Sequence, residues 1–164
     1  MRVPCILDTL GPAPPQPLQG SAAANLSLGV KIARLGRNVC FHGFGDKTAT
    51  VADAFRDFAS SFSVITVQGS QPDLMPRTLF ATVLQLVERR AAREGVVYEC
   101  CPGRELDRVV RSIHALLKRL TASKFLLLFF GLDHWCFLRP AAFEGIALLA
   151  TLPNFRVVAC VDSV

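Results

Sequence analysis

The order of apolar and polar positions divides the chain into alternating strand-like and helix-like segments. Four short runs rich in β-branched and aromatic residues predict strands: Asn38 to His42, Ser63 to Gln68, Phe125 to Phe130 and Arg156 to Val161. Between them apolar residues return every three or four positions, the period of one helix face. Val51, Ala54, Phe55, Phe58 and Phe62 make such a stripe and predict a helix from Thr50 to Ser61. Leu79, Phe80, Val83, Leu84 and Val87 make a second, in a helix that starts near Pro76 and stops at Gly95. After a connection from Val96 to Gly103, Leu106, Val109, Val110, Ile113, Leu117 and Leu120 predict a third helix over Glu105 to Ala122. A fourth spans Ala141 to Leu149, and Leu26 to Leu35 reads as a short helix or an irregular lead-in to the first strand. Phe125 to Phe130 is apolar at every position, so both of its faces meet core, as in the middle of a parallel sheet. Strands separated by helices predict an α/β fold, a parallel sheet of about four strands flanked by helices in three layers.

Residues 1–24 are rich in Pro, Gly and Ala, with Gly11-Pro12-Ala13-Pro14-Pro15-Gln16-Pro17. Such a stretch holds no regular ladder and reads as a flexible segment ahead of a domain over 25–164. With 164 residues, 51% hydrophobic and 19% charged, the composition is that of one globular domain rather than a disordered chain. The longest apolar run, Phe125 to Leu132, is too short to cross a bilayer. Arg2 is followed by Pro4 and Asp8, which interrupt any signal-like stretch, so secretion is not expected. The cysteines are therefore expected to be reduced, with Cys40 and Cys160 as small apolar groups inside core strands. His134-x-Cys136 with Cys100-Cys101 lacks any C-x-x-C pair and is read as ordinary loop and core residues, not a metal set. A net charge of +5 permits contact with nucleic acid without requiring it.

The loop after the first strand carries the candidate chemistry. Gly43-Phe44-Gly45-Asp46-Lys47-Thr48 lies between a strand and a helix, the layout of a phosphate-binding loop. That loop requires glycines one and six positions before the lysine, so that backbone N–H groups can wrap the phosphates. With Lys47-Thr48 as the terminal pair, those positions hold Asp46 and Phe41. With Gly43 as the opening glycine, the loop is two residues too short. Either way Asp46 sets a carboxylate where a polyphosphate would lie. Lys47 and Thr48 also read simply as the start of the helix, with Thr48 or Thr50 as its N-cap.

Nucleotide hydrolysis requires a second site: acidic residues at a strand end, one to hold Mg²⁺ and one to activate water. In the third strand that pair is replaced by Phe130-Gly131, and Asp133 remains as a remnant beyond it. Asp133 reads equally as the cap of a turn, and Asp162, after the fourth strand, as a turn residue. Arg104, Arg108, Arg111 and Lys118 fall on one side of the third helix, either a solvated face or a basic contact face for DNA phosphates or an acidic partner. His42, His114 and His134 are read as structural.

These segments resemble one family, the second subunit of the origin recognition complex, the eukaryotic replication initiator. Leu26-Ser27-Leu28-Gly29-Val30 and Asn38 to Lys47 resemble its lead-in helix, first strand and non-functional loop. Phe58 to Gly69 resembles its next helix and a strand ending in glycine, and Phe125 to Asp133 the strand whose acidic pair is replaced. Asn154 to Asp162 resembles the strand that follows. The resemblance, from about Leu26 to Val164, implies an AAA+-like core that does not hydrolyse ATP and for which no cofactor is expected. It implies partners in the other origin recognition complex subunits and origin DNA, a place in the nucleus and no membrane role. It also implies that the family's last core strand, helical lid and winged-helix domain are missing, so the sheet is expected to be incomplete at the C-terminus. Two rivals remain on the residues alone: a divergent P-loop ATPase or kinase using Lys47 and Asp133, and an unrelated α/β adaptor.

Overall fold

The computed structural model describes residues 20–43, 46–71, 74–97, 105–134 and 136–161. Four strands, β1 (Val39–His42), β2 (Ser63–Gln68), β3 (Phe125–Phe130) and β4 (Phe155–Val161), form one sheet in the order β1-β4-β3-β2. Every pairing is parallel. Helices α3 (Pro76–Arg93), α4 (Leu106–Arg119) and α5 (Pro140–Ala150) cover one face, packing on Ile65, Val67, Leu127, Phe129, Val157 and Ala159. Helices α1 (Gly20–Arg34) and α2 (Thr48–Ala54), with a 3₁₀ turn over Arg56–Ser60, cover the other, against Leu126, Leu128, Phe130, Val158 and Cys160. All six residues of β3 are buried, because helices lie on both sides of a strand that also has strands on both edges.

Three elements depart from the apolar pattern. α1 opens at Gly20, so the last residues assigned to a flexible segment are helical. The prolines end at Pro17, and Ala22-Ala23-Ala24 is favourable helix sequence. The helix expected over Thr50 to Ser61 starts two residues earlier and breaks at Phe55. There the chain tightens, with the Phe58 N–H donating to the Phe55 carbonyl at 3.1 Å. Three-residue spacing brings side chains into line, and the Phe55 and Phe58 rings meet at 5.1 Å, with Phe62 following at 5.2 Å. Cys40 and His42, read as core residues, are exposed. They point to the α3–α5 side from an edge strand that those helices do not cover, whereas Cys160, in the interior strand β4, is buried.

Helix ends are closed by specific bonds. At Gly95 (φ +68°) the chain takes the left-handed turn that glycine permits. Its N–H donates to Ala92, and that of Val96 to Ala91, so the last carbonyls of α3 are satisfied. Glu94 beside this turn accepts from Ser123 and pairs with Arg90, and these contacts hold its carboxyl below the usual carboxylate range. Buried Asn154 donates to both Leu117 and Leu120 carbonyls at 2.8 Å, which fixes the end of α4 against the start of β4. Asn154→Leu leaves those two carbonyls without a donor and is expected to destabilise the fold by about 1–3 kcal/mol. The measurement is the urea midpoint, which should fall with an unchanged m-value.

Candidate functional site

The four strands run parallel, so their C-terminal ends share one edge of the sheet, where ligands bind in open α/β folds. His42 pairs with Val161, and Phe130 with both Cys160 and Gln68. Asn38 holds β1 in place: its side chain donates to the Ala150 carbonyl and accepts the Val157 N–H, each at 2.9 Å. The sequence reading places Asn38 inside the first strand, whereas β1 starts at Val39 and the asparagine side chain bridges to its neighbours. Gly43, Asp46, Lys47 and Thr48 of the loop lie at this edge, while Gly45 falls outside the described residues.

The start of α2 is closed from within. Neither Thr48 nor Thr50 is its N-cap; the helix begins at Thr48, and Lys47 holds the cap position with no side-chain cap bond. Asp46 supplies the missing acceptor from one residue earlier, its Oδ1 receiving the Thr48 N–H at 2.8 Å. This bond, a second from the Thr48 side chain and the charge of Lys47 hold the Asp46 carboxyl below the usual range. Lys47 folds back to donate Nζ to the Gly43 carbonyl. A phosphate at a helix start is bound by such backbone N–H groups and such an ammonium. Here a carboxylate and a carbonyl of the same loop engage both.

The end of β3 is closed by packing. Phe130 is 5% exposed and belongs to the cluster of Val51, Phe55 and Cys160, on the α2 side of the sheet. In the sequence register it stands where a magnesium-binding strand end would carry its acidic residue. Gly131 follows with φ +69°, a conformation strained for any residue with a side chain. A Cβ at the neighbouring Gly69 would collide with the Gly131 carbonyl oxygen. These two glycines let β2 and β3 turn out of the sheet side by side, with the Gly69 N–H donating to Phe130 at 2.6 Å. Asp133 is half-buried, and its charge is felt at Cys40 of β1, whose thiol is pushed up by partial burial first and by Asp133 second. A magnesium–triphosphate does not fit this set: Phe130 offers no ligand atom, and the Asp46 carboxylate opposes the anion.

The basic series on α4 lies apart from this edge cluster. Arg108 pairs with Glu105 at 3.4 Å and Arg111 with Asp107 at 2.6 Å, so acids on the same helix offset two of its charges. Lys118 lies near His114, which is pushed below its ordinary value by burial and then by that lysine. Arg104, Cys100, Cys101 and Asp162 fall outside the described residues. His134 Nδ1 lies 3.1 Å from Cys136 Sγ, and no group of three or more metal-ligating side chains exists among the described residues.

The family model of the Origin recognition complex subunit 2 RecA-like domain matches residues 29–164. Among solved structures the chain is similar to one in the Drosophila ORC bound to DNA, with TM-score 0.70 and 17% identity over 88% of this chain and 77% of that one. A chain of the Drosophila ORC bound to AT-rich DNA and Cdc6 gives 0.63 and 16%, over 89% and 51%. The Aeropyrum pernix ORC1 protein in complex with DNA gives 0.60 and 17%, over 92% and 41%. This chain thus spans about half the length of the last two or less, and at these identities the likeness establishes the fold. No curated protein matches the chain by sequence.

The bond from Asp46 makes a testable contribution to stability. Asp46→Ala is expected to cost roughly 0.5–1 kcal/mol at neutral pH, the range for an exposed helix-start acceptor. Because the folded-state carboxyl is held low, this contribution is complete above the unfolded value of about 4 and fades as pH falls through the lower folded-state value. Urea unfolding of both proteins at neutral and strongly acidic pH measures it: the gap between them should close in acid.

Proposed function

Since the chain belongs to the origin recognition complex subunit 2 family, we propose that it acts as a non-hydrolysing member of an origin recognition complex in DNA replication initiation. In this role it assembles with AAA+ partner subunits at origin DNA in the nucleus. One observation carries the reading: both halves of the nucleotide chemistry are closed on a retained scaffold. Asp46 takes the helix-start N–H that would face a phosphate, and Phe130 is packed where the metal ligand is required. Phosphoanhydride cleavage depends on charge neutralisation by the metal and on an oriented water. No group at Phe130 or Gly131 can provide either. The fold shared with chains of DNA-bound Drosophila ORC structures supports the assembly role.

Binding rather than turnover then becomes the work of the fold. The parallel sheet positions its edge loops rigidly, and the loops and open edges meet neighbouring subunits. We read Arg108 and Arg111 of α4 as a solvated, ion-paired face, because Glu105 and Asp107 already engage them.

The test has two parts: co-express the chain with the other subunits of an origin recognition complex and purify the assembly, and separately measure Mg-ATP hydrolysis by the chain purified without them. The expected result is co-purification, with hydrolysis no higher than the buffer background. Lys47→Ala should leave co-purification unchanged, since its ammonium already serves the Gly43 carbonyl. Turnover abolished by Lys47→Ala would instead establish a divergent ATPase, and failure to co-purify would favour an unrelated adaptor.

A further inference from the structure

All four strands begin at the edge of the sheet opposite the 43–48 loop, and this edge is strongly basic. α1, α3 and α4 end here, each with two cations in its last turn: Lys31 and Arg34, Arg90 and Arg93, Lys118 and Arg119. Arg37 lies two residues before β1, Lys124 directly precedes β3, and Arg156 is the second residue of β4. Specific contacts join these positions into one row. Arg90 donates to Ser123, the residue before Lys124, at 2.5 Å. The Arg156 guanidinium reaches the turn between α1 and β1, where a Cβ on Gly36 would stand 2.8 Å from it.

Carboxylates are scarce along this row. Asp57 stands 3.9 Å from Arg34, and Glu94 2.9 Å from Arg90. Glu88 beside Arg89, and Asp53 paired with Arg56, add no net charge. Among the described residues, nine cations thus face two carboxylates. Asp8, Asp73, Glu99 and Asp162 lie outside the described residues, and all four together are fewer than that surplus. Helix C-termini add a partial negative charge of about half a unit each, which also leaves the sum positive.

We propose that this edge binds the phosphate backbone of duplex nucleic acid. A duplex presents one charge per ~1.7 Å of its axis. The four strand starts alone extend across roughly 14 Å, enough to face several phosphates. An acidic protein also matches the charge, but specific protein interfaces have an apolar or aromatic centre. The large exposed apolar side chains at this edge, Leu35 and Val97, follow α1 and α3 and so belong to opposite faces of the sheet. Nucleic-acid interfaces are polar and positive, as this edge is. Single strands bind on exposed aromatic platforms, whereas Phe58 is buried and half-buried Phe62 lies under the Lys124 ammonium at 5.8 Å. Direct contact by this chain is separate from co-purification with partner subunits, and either can fail without the other.

The experiment measures the fluorescence anisotropy of a fluorescein-labelled, mixed-sequence DNA duplex with the full chain over a series of NaCl concentrations. Affinity should fall steeply with salt, with a log–log slope of about −0.9 per phosphate neutralised. Arg37→Glu with Arg93→Glu should weaken binding about tenfold or more at one salt concentration and flatten the slope by about 2. Arg108→Glu with Arg111→Glu makes the same change in net charge on the outer face of α4 and should leave affinity within about twofold, since distant exposed charges are screened. Arg37→Gln with Arg93→Gln should give an intermediate loss. All four positions are exposed, and circular dichroism verifies that each variant folds. No binding of the duplex, a slope near zero, or equal losses in the two glutamate pairs overturns the proposal. So does tighter binding of polyglutamate than of the duplex, which identifies an acidic protein as the partner.

Discussion

The burial of β3 on both faces is the constraint on which the rest of this structure depends. Phe125 to Phe130 joins β2 to β4, and its side chains alternate between the two cores. A charge at any of these positions would have to leave water, at a cost of several kcal/mol, with a partner required to offset it. In a nucleotide hydrolase the bound metal is that partner, and the strand end stays polar to hold it. Here Phe130 extends the apolar run to the last residue of the strand. On the proposed reading, an aromatic ring at this strand end does two things at once: it offers no metal ligand, and it completes the core beneath α2 with Val51 and Phe55.

The same substitution of packing for chemistry recurs at the loop. A helix start has unsatisfied N–H groups that attract an anion. When the anion is a substrate, the site must remain open; when it is a side chain two residues upstream, the site is permanently filled. Asp46 caps α2 from within its own loop, and Lys47 turns onto the Gly43 carbonyl. Gly131 shows that the closed state extends to the backbone, because its left-handed conformation resists any side chain at the position next to Phe130.

Much of this was legible in the sequence, for identifiable reasons. All four strands and the helices α3, α4 and α5 lie where the apolar spacing puts them, because each helix has one dominant core-facing stripe and each strand is a short run of β-branched and aromatic residues. The Gly95 stop and the Pro76 start follow from backbone chemistry that is local to those residues. The misreadings arose where a tertiary fact outweighs a local one. The spacing of Phe55, Phe58 and Phe62 fits a helix, but the chain tightens into a 3₁₀ turn in which the Phe55 and Phe58 rings meet. Cys40 and His42 sit on a strand with core-like sequence, yet strand order places that strand at the edge. For Arg108 and Arg111 the sequence leaves a solvated face and a contact face open, and the pairs with Glu105 and Asp107 at three- and four-residue spacing agree with the first.

Strand order also explains why charge is distributed unevenly along one edge of the molecule. β1, β2 and β3 run into α2, α3 and α5, and α4 begins beside α3 and α5, so four helix starts lie at one edge of the sheet, each with a positive end. On the α2 side the positive end meets Asp46 and a filled core. On the opposite side α3, α4 and α5 begin without side-chain caps, around apolar walls and two arginines. Quenching one helix start with a single carboxylate leaves the other three untouched.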